Sequence, residues 1–109
     1  MSQLNLADPI FSSYGDDPDM GELVEMFVEE MPDRIEALLE VAQSNDWEKL
    51  RSLAHQLKGA GGSYGFGQLT QPAALLESAC RENDTADNIR QTLTDLVSIC
   101  RRTQAGAPS

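Results

Sequence analysis

Asn45-Asp46-Trp47-Glu48-Lys49-Leu50-Arg51-Ser52-Leu53-Ala54-His55-Gln56-Leu57-Lys58-Gly59-Ala60-Gly61-Gly62-Ser63-Tyr64-Gly65-Phe66 carries the clearest helical pattern of the chain. Leu50, Leu53, Ala54 and Leu57 repeat at helical spacing. With Leu50 at 0°, the other three lie at about −60°, +40° and −20°, a single stripe. His55, the one histidine of the chain, lies at about 140°, clear of that stripe. Near it fall Arg51 at about 100°, Lys58 at about 80°, Gly62 at about 120° and Gly59 at about 180°. The spacing therefore predicts a helix with a core face and, opposite, an imidazole among two cations and two glycines. Asn45 is the expected cap, with Glu48 three residues on, and the helix is expected to end near Gly62.

Each neighbour of His55 has a use if the ring carries a phosphoryl group. A neutral imidazole nitrogen is a nucleophile near neutrality, since the free side chain has a pKa of ~6.5. Attack on an activated phosphoryl group gives a phosphoramidate that stays reactive. Lys58, one turn along, would neutralise the added charge. A mid-helix glycine costs about 0.5–1 kcal/mol relative to alanine, so Gly59 invites a reason, and close approach of another protein is the simplest. The plainer readings are a solvated surface histidine and glycines that merely end the helix, with Gly62 or Gly65 as its left-handed cap.

Outward from this helix the chain reads as further amphipathic segments. Asp17 before Pro18 is a plausible start for the first, with Leu23, Phe27, Met31, Ile35, Leu38, Leu39 and Ala42 as its stripe. Pro32 interrupts it, giving either a kink or two helices meeting near Met31. A third helix is expected over about 66–83, with Leu69, Ala73, Leu76 and Cys80 inward and Pro72 making its first turn irregular or marking its start. The fourth begins at Asp84 or Thr85 and runs to about Arg102, with Ile89, Leu93, Leu96, Val97 and Cys100 inward. No β-type alternation occurs. The expected fold is all-α: an up-down antiparallel four-helix bundle over 17–103, an irregular N-terminal segment over 1–16 and a disordered tail over 104–109.

The 109 residues suffice for one core and leave no room for a nucleotide-binding lobe. No apolar run approaches the ~20 residues of a membrane span, and the N-terminus lacks the form of a signal peptide, so a cytoplasmic protein is expected. Cys80 and Cys100 fall on apolar faces and read as buried free thiols, in keeping with a reducing compartment. The net charge of −10 argues against nucleic-acid binding. Its distribution is uneven. Residues 1–48 hold thirteen acidic side chains against Arg34 alone, whereas 49–76 hold no acid and carry Lys49, Arg51 and Lys58. That is either a chance of composition beside a solvated acidic face or a surface meant to meet something negative.

His55-Gln-Leu57-Lys58-Gly59, small residues, and Gly65 ten positions after the histidine resemble the signature of histidine-containing phosphotransfer (HPt) domains, including the histidine-bearing domain of chemotaxis kinases. The resemblance spans about 19–102. It implies a four-helix bundle whose exposed histidine shuttles phosphate between receiver-domain aspartates, from a hybrid sensor kinase to a response regulator. By it, His55 is the phosphoacceptor, Lys58 stabilises the phosphohistidine, and Gly59 and Gly65 serve partner access and packing; the helix wheel adds Gly62 to that bare surface and Arg51 as the charge of the partner-facing side. Many members carry Gln or Glu on the next helix, hydrogen-bonded to the ring; that spacing corresponds to Glu77, which could equally be an ordinary surface glutamate. The chain itself is expected to need no cofactor and no metal, with Mg2+ on the partner receiver, and to act as a monomer.

Other readings compete with this one. Gly65-Phe66 and Glu77 lean toward the substrate domain of a chemotaxis-type kinase, whereas a 109-residue chain with nothing following for dimerisation or ATP binding leans away from it. A non-phosphorylated receiver-binding adaptor would not need both His55 and Lys58. An enzyme is disfavoured, since there is no Walker-type motif, no evident nucleophile–base pair and no metal ligand set.

Overall fold

The structure, a computed structural model, describes residues 8–106. Positions 1–7 of the expected N-terminal segment and 107–109 of the expected tail lie outside them. Helices dominate: α1 (Gly21–Glu29), α2 (Met31–Gln43), α3 (Trp47–Ser63), a single 3₁₀ turn (Gly67–Leu69), α4 (Thr70–Arg81) and α5 (Ala86–Cys100). This is compatible with a helical bundle. Two short strands, β1 (Ile10–Phe11) and β2 (Thr103–Gln104), pair in parallel with Ile10 opposite Thr103. No helix among the described residues is long and apolar enough to cross a membrane.

The expected first helix is two. Glu30 separates α1 from α2, and Pro32 sits in the first turn of α2, where its missing N–H removes a donor that would have had no partner there. The break frees α1 from the phase of α2. Leu23, expected in the stripe, is 42% exposed, and its neighbour Val24 is fully buried in its place. Leu39 also stands at the rim rather than inside. Asp17 does not cap a helix: its Oδ1 accepts from the N–H groups of Asp19 and Met20, closing a turn before α1 starts at Gly21.

The remaining boundaries follow local chemistry. Asp46, not Asn45, caps α3, its Oδ1 accepting from Lys49 N–H at 3.1 Å. Asn45 instead takes a left-handed φ of 56°, which asparagine tolerates better than most residues. α4 starts at Thr70, with Pro72 early enough in its first turn to cost no hydrogen bond. Thr85 caps α5 through its Oγ1 and Asn88 N–H at 3.1 Å. Gln104, expected to open a disordered tail, is strand-paired to Phe11. Two-residue strands carry no alternation to read, which is why the sequence hides them.

The core joins Phe27, Leu38, Leu50, Leu57, Phe66, Leu69, Leu76, Ile89 and Leu96. Phe27 packs on Tyr64 and Phe66, with ring centroids 5.2 and 5.5 Å away. At the end of α3 the N-terminal segment is fastened by Ser12 Oγ donating to Tyr64 O at 2.5 Å and Ser13 N–H donating to Gly65 O at 2.9 Å. Gly65 has φ +83°, and a Cβ there would meet Ser13 Oγ and Tyr14 Cδ2 at 2.8 Å. Cβ atoms on Gly59 and Gly62 would meet nothing within 4 Å. Gly65→Ala should therefore lower stability by about 2 kcal/mol, whereas Gly59→Ala and Gly62→Ala should each raise it by about 0.5–1 kcal/mol. Urea unfolding of the three variants checks the contrast in sign.

Candidate functional site

α3 divides its labour by face. Leu50, Ala54 and Leu57 are buried, and His55, on the other side, keeps 65% of its side chain exposed. The glycines divide too. Gly59 and Gly62 leave the helix surface beside the ring bare, while Gly65 is packed under the N-terminal segment. Gly61 is the glycine that packs helix against helix: a Cβ there would lie 3.0 Å from Leu69 Cδ1 and 3.1 Å from Leu69 Cβ. It was not singled out in the sequence, although the same wheel puts it at about 20°, on the core stripe.

α4 brings Glu77 to the ring. One carboxylate oxygen, Oε2, lies 2.9 Å from His55 Nδ1, and the other, Oε1, accepts from Lys58 Nζ at 2.8 Å. The Glu77 side chain is only 9% exposed. Lys58 is half-buried beside it. Residues 55, 58 and 77 thus form one connected trio spanning α3 and α4. The Lys58 hydrogen bond holds the Glu77 carboxyl below its ordinary value of 4.5, against the upward push of burial and with further help from His55. An ionised carboxylate only accepts hydrogen bonds, so the ring donates from Nδ1–H. Its Nε2 then carries the free lone pair on the solvent side.

Arg51 is not free on the surface. Its Nη2 donates to Glu48 Oε2 at 2.7 Å, within one turn of α3. The pairing raises the Arg51 pKa and lowers that of Glu48. Cys80, one turn beyond Glu77 on α4, is a buried free thiol whose pKa burial raises; burial pushes that of Cys100 up to about 12. Neither is primed as a nucleophile. No cluster of three or more His, Cys, Asp or Glu side chains suited to a metal ion occurs among the described residues.

A family model described as Hpt domain matches residues 22–104. The chain belongs to the Hpt domain family. Hpt domains are phosphotransfer carriers of phosphorelay, two-component signalling, act through a phosphohistidine, interact with receiver domains and have no kinase activity of their own. No curated protein and no solved structure gives a significant match. In this Hpt domain the histidine of the matched segment is His55, since the chain has no other.

Two measurements test the trio. Nitrogen-15 spectra of the neutral ring should show His55 protonated at Nδ1 and bare at Nε2, and Glu77→Ala should return it toward the Nε2–H form that free imidazole side chains favour. Because the Glu77 carboxyl is depressed on folding, its contribution to stability is complete above about pH 4.5 and is lost as pH falls through the lower folded value. The stability of wild type relative to Glu77→Gln should accordingly fall on acidification below about pH 4.5.

Proposed function

We propose that this Hpt domain accepts a phosphoryl group on His55 Nε2 from a receiver-domain aspartyl phosphate and passes it to the aspartate of a response-regulator receiver. The observation that carries this reading is the Glu77 hydrogen bond to Nδ1 of a ring that is 65% exposed. The acceptor is oriented from the protein side and open on the other.

In the forward step the Nε2 lone pair attacks phosphorus, the P–O bond to the donor aspartate breaks, and the bond's electron pair leaves on that carboxylate. The ring keeps its Nδ1 proton and becomes a phosphoimidazolium, whose positive charge faces the Glu77 carboxylate. The return step reverses this: an acceptor carboxylate oxygen attacks phosphorus, and Nε2 leaves with its lone pair. No proton need leave the Nδ1–Glu77 bond in either direction, so one arrangement serves both acceptance and donation. Lys58 holds Glu77 in place and keeps the site from accumulating negative charge when the phosphoryl group arrives. The bare surface at Gly59 and Gly62 lets the receiver bring its aspartate to the ring.

On this reading the domain is an up-down antiparallel bundle and works as a monomer in the cytoplasm, in keeping with two free thiols. It needs no cofactor of its own, and Mg2+ belongs to the receiver. A chemotaxis-type kinase as donor is the second reading, favoured by a glutamate rather than a glutamine at the ring.

Labelled phosphate offered by phosphorylated receivers should appear on wild type and not on His55→Gln; label on His55→Gln would refute the assignment. Labelling only by a chemotaxis-type kinase with ATP would select the second reading. Gly59→Glu should cut transfer at least tenfold with helical circular dichroism unchanged, because its Cβ faces open space. Lys58→Ala should slow transfer through loss of ring orientation, read as a change in the His55 tautomer signals alongside the rate.

A further inference from the structure

We propose that Arg51 binds the phosphoryl group once His55 carries it, exchanging its hydrogen bond to Glu48 for one to a phosphoryl oxygen. The inference rests on the phosphocarrier reading above and assigns the side chain that meets the new charge.

The trio leaves that charge without a direct ligand. Glu77 takes Nδ1, so the phosphoryl group belongs on Nε2, across the ring from Glu77. Lys58 donates to Glu77 Oε1. Were it to leave for the phosphoryl group, Oε1 of a Glu77 side chain only 9% exposed would lose its donor, and a buried acceptor left unpaired is unfavourable. Lys58 therefore acts from where it stands. Of the other two basic residues in the acid-free window 49–76, Lys49 falls at about −100° on the helix wheel, far from His55, whereas Arg51 falls within about 40° of it.

Arg51 is placed and held as such a ligand should be. It lies four residues before His55, and residues four apart are neighbours on a helix surface. Helical side chains lean toward the N-terminus, so residue i+4 covers the turn that carries residue i, the relation of His55 to Arg51. Its present partner is weak. Glu48 is 81% exposed on its side chain, and exposed pairs of this kind contribute little. A phosphoryl group offers three strong acceptors and nearly two negative charges, against one shared carboxylate. Glu48 thus parks the guanidinium in the unphosphorylated protein and is released when the phosphoryl group arrives. The loaded and unloaded faces then differ in the place of two charged side chains as well as in the phosphoryl group.

Phosphoramidate tests this without any protein partner. Nε2 attacks its phosphorus, the P–N bond breaks and ammonia leaves. On phosphorylation of the wild type, the Arg51 Nε–H resonance should move and become protected from solvent exchange. The phosphohistidine 31P signal should titrate about half a unit higher in Arg51→Gln than in wild type, because a neighbouring cation favours the dianion. Arg51→Lys should restore most of the shift, and Glu48→Gln, which frees Arg51, should not raise the titration. An Arg51 resonance unmoved by phosphorylation, or a titration unchanged in Arg51→Gln, overturns the proposal and leaves the phosphocarrier reading intact. Absence of a phosphohistidine signal in wild type overturns both.

Discussion

A carboxylate inside a helix seam governs this molecule. Glu77 is an ionisable group on a mostly buried face of α4, and burial alone would push it toward neutrality. It stays charged because α3 delivers two donors to it, Lys58 Nζ and His55 Nδ1. Those donors are three residues apart on α3 and reach different oxygens, so α3 and α4 can neither slide nor rotate far without stranding the charge. The same contact fixes the tautomer of His55. Register between two helices and the tautomer of His55 are set by one constraint.

That constraint needs close packing, and the glycines of α3 divide the work. Gly61 sits so close to Leu69 that a Cβ would lie 3.0 Å from its Cδ1, and the chain after α3 packs tightly against the helix. Gly65 turns the chain in a left-handed conformation under Ser12, Ser13 and Tyr14. A Cβ on Gly59 or Gly62 would meet nothing within 4 Å, so no close approach inside the fold requires a glycine at either position. Four glycines within seven residues thus serve packing, a turn and an open surface. The phosphotransfer function of the family makes sense of the open pair, because a receiver must bring an aspartate to within bonding distance of the ring.

Much of this was legible from residue order. The stripe Leu50, Ala54, Leu57 put His55 outward, and the wheel needed no tertiary information to do it. The residues expected inward, Leu69 of the 3₁₀ turn, Ala73, Leu76 and Cys80 of α4, and Ile89, Leu93, Leu96, Val97 and Cys100 of α5, are all buried. Failures came where two local solutions compete. Asn45 and Asp46 can each cap a helix, and the backbone gave the cap to Asp46 and the left-handed turn to Asn45. Leu23 and Val24 can each face a core, and the break at Glu30 chose Val24. Glu77 was flagged through family resemblance, not through its own surroundings. From the wheel alone it was an edge residue that could have faced solvent.

Residue order alone specifies the helical class, the outward direction of the sole histidine and its cationic, glycine-rich setting, because helical periodicity is local and repeats every few residues. Packing in three dimensions is what makes Glu77 meet both His55 and Lys58, holds Arg51 on Glu48 and Lys58 on Glu77, and pairs β1 with β2. The physical reason is the same in the first and last cases. Contacts between residues far apart in the chain depend on how helices cross and pack, and a side chain at the edge of a stripe turns inward or outward according to the partner that the neighbouring element presents.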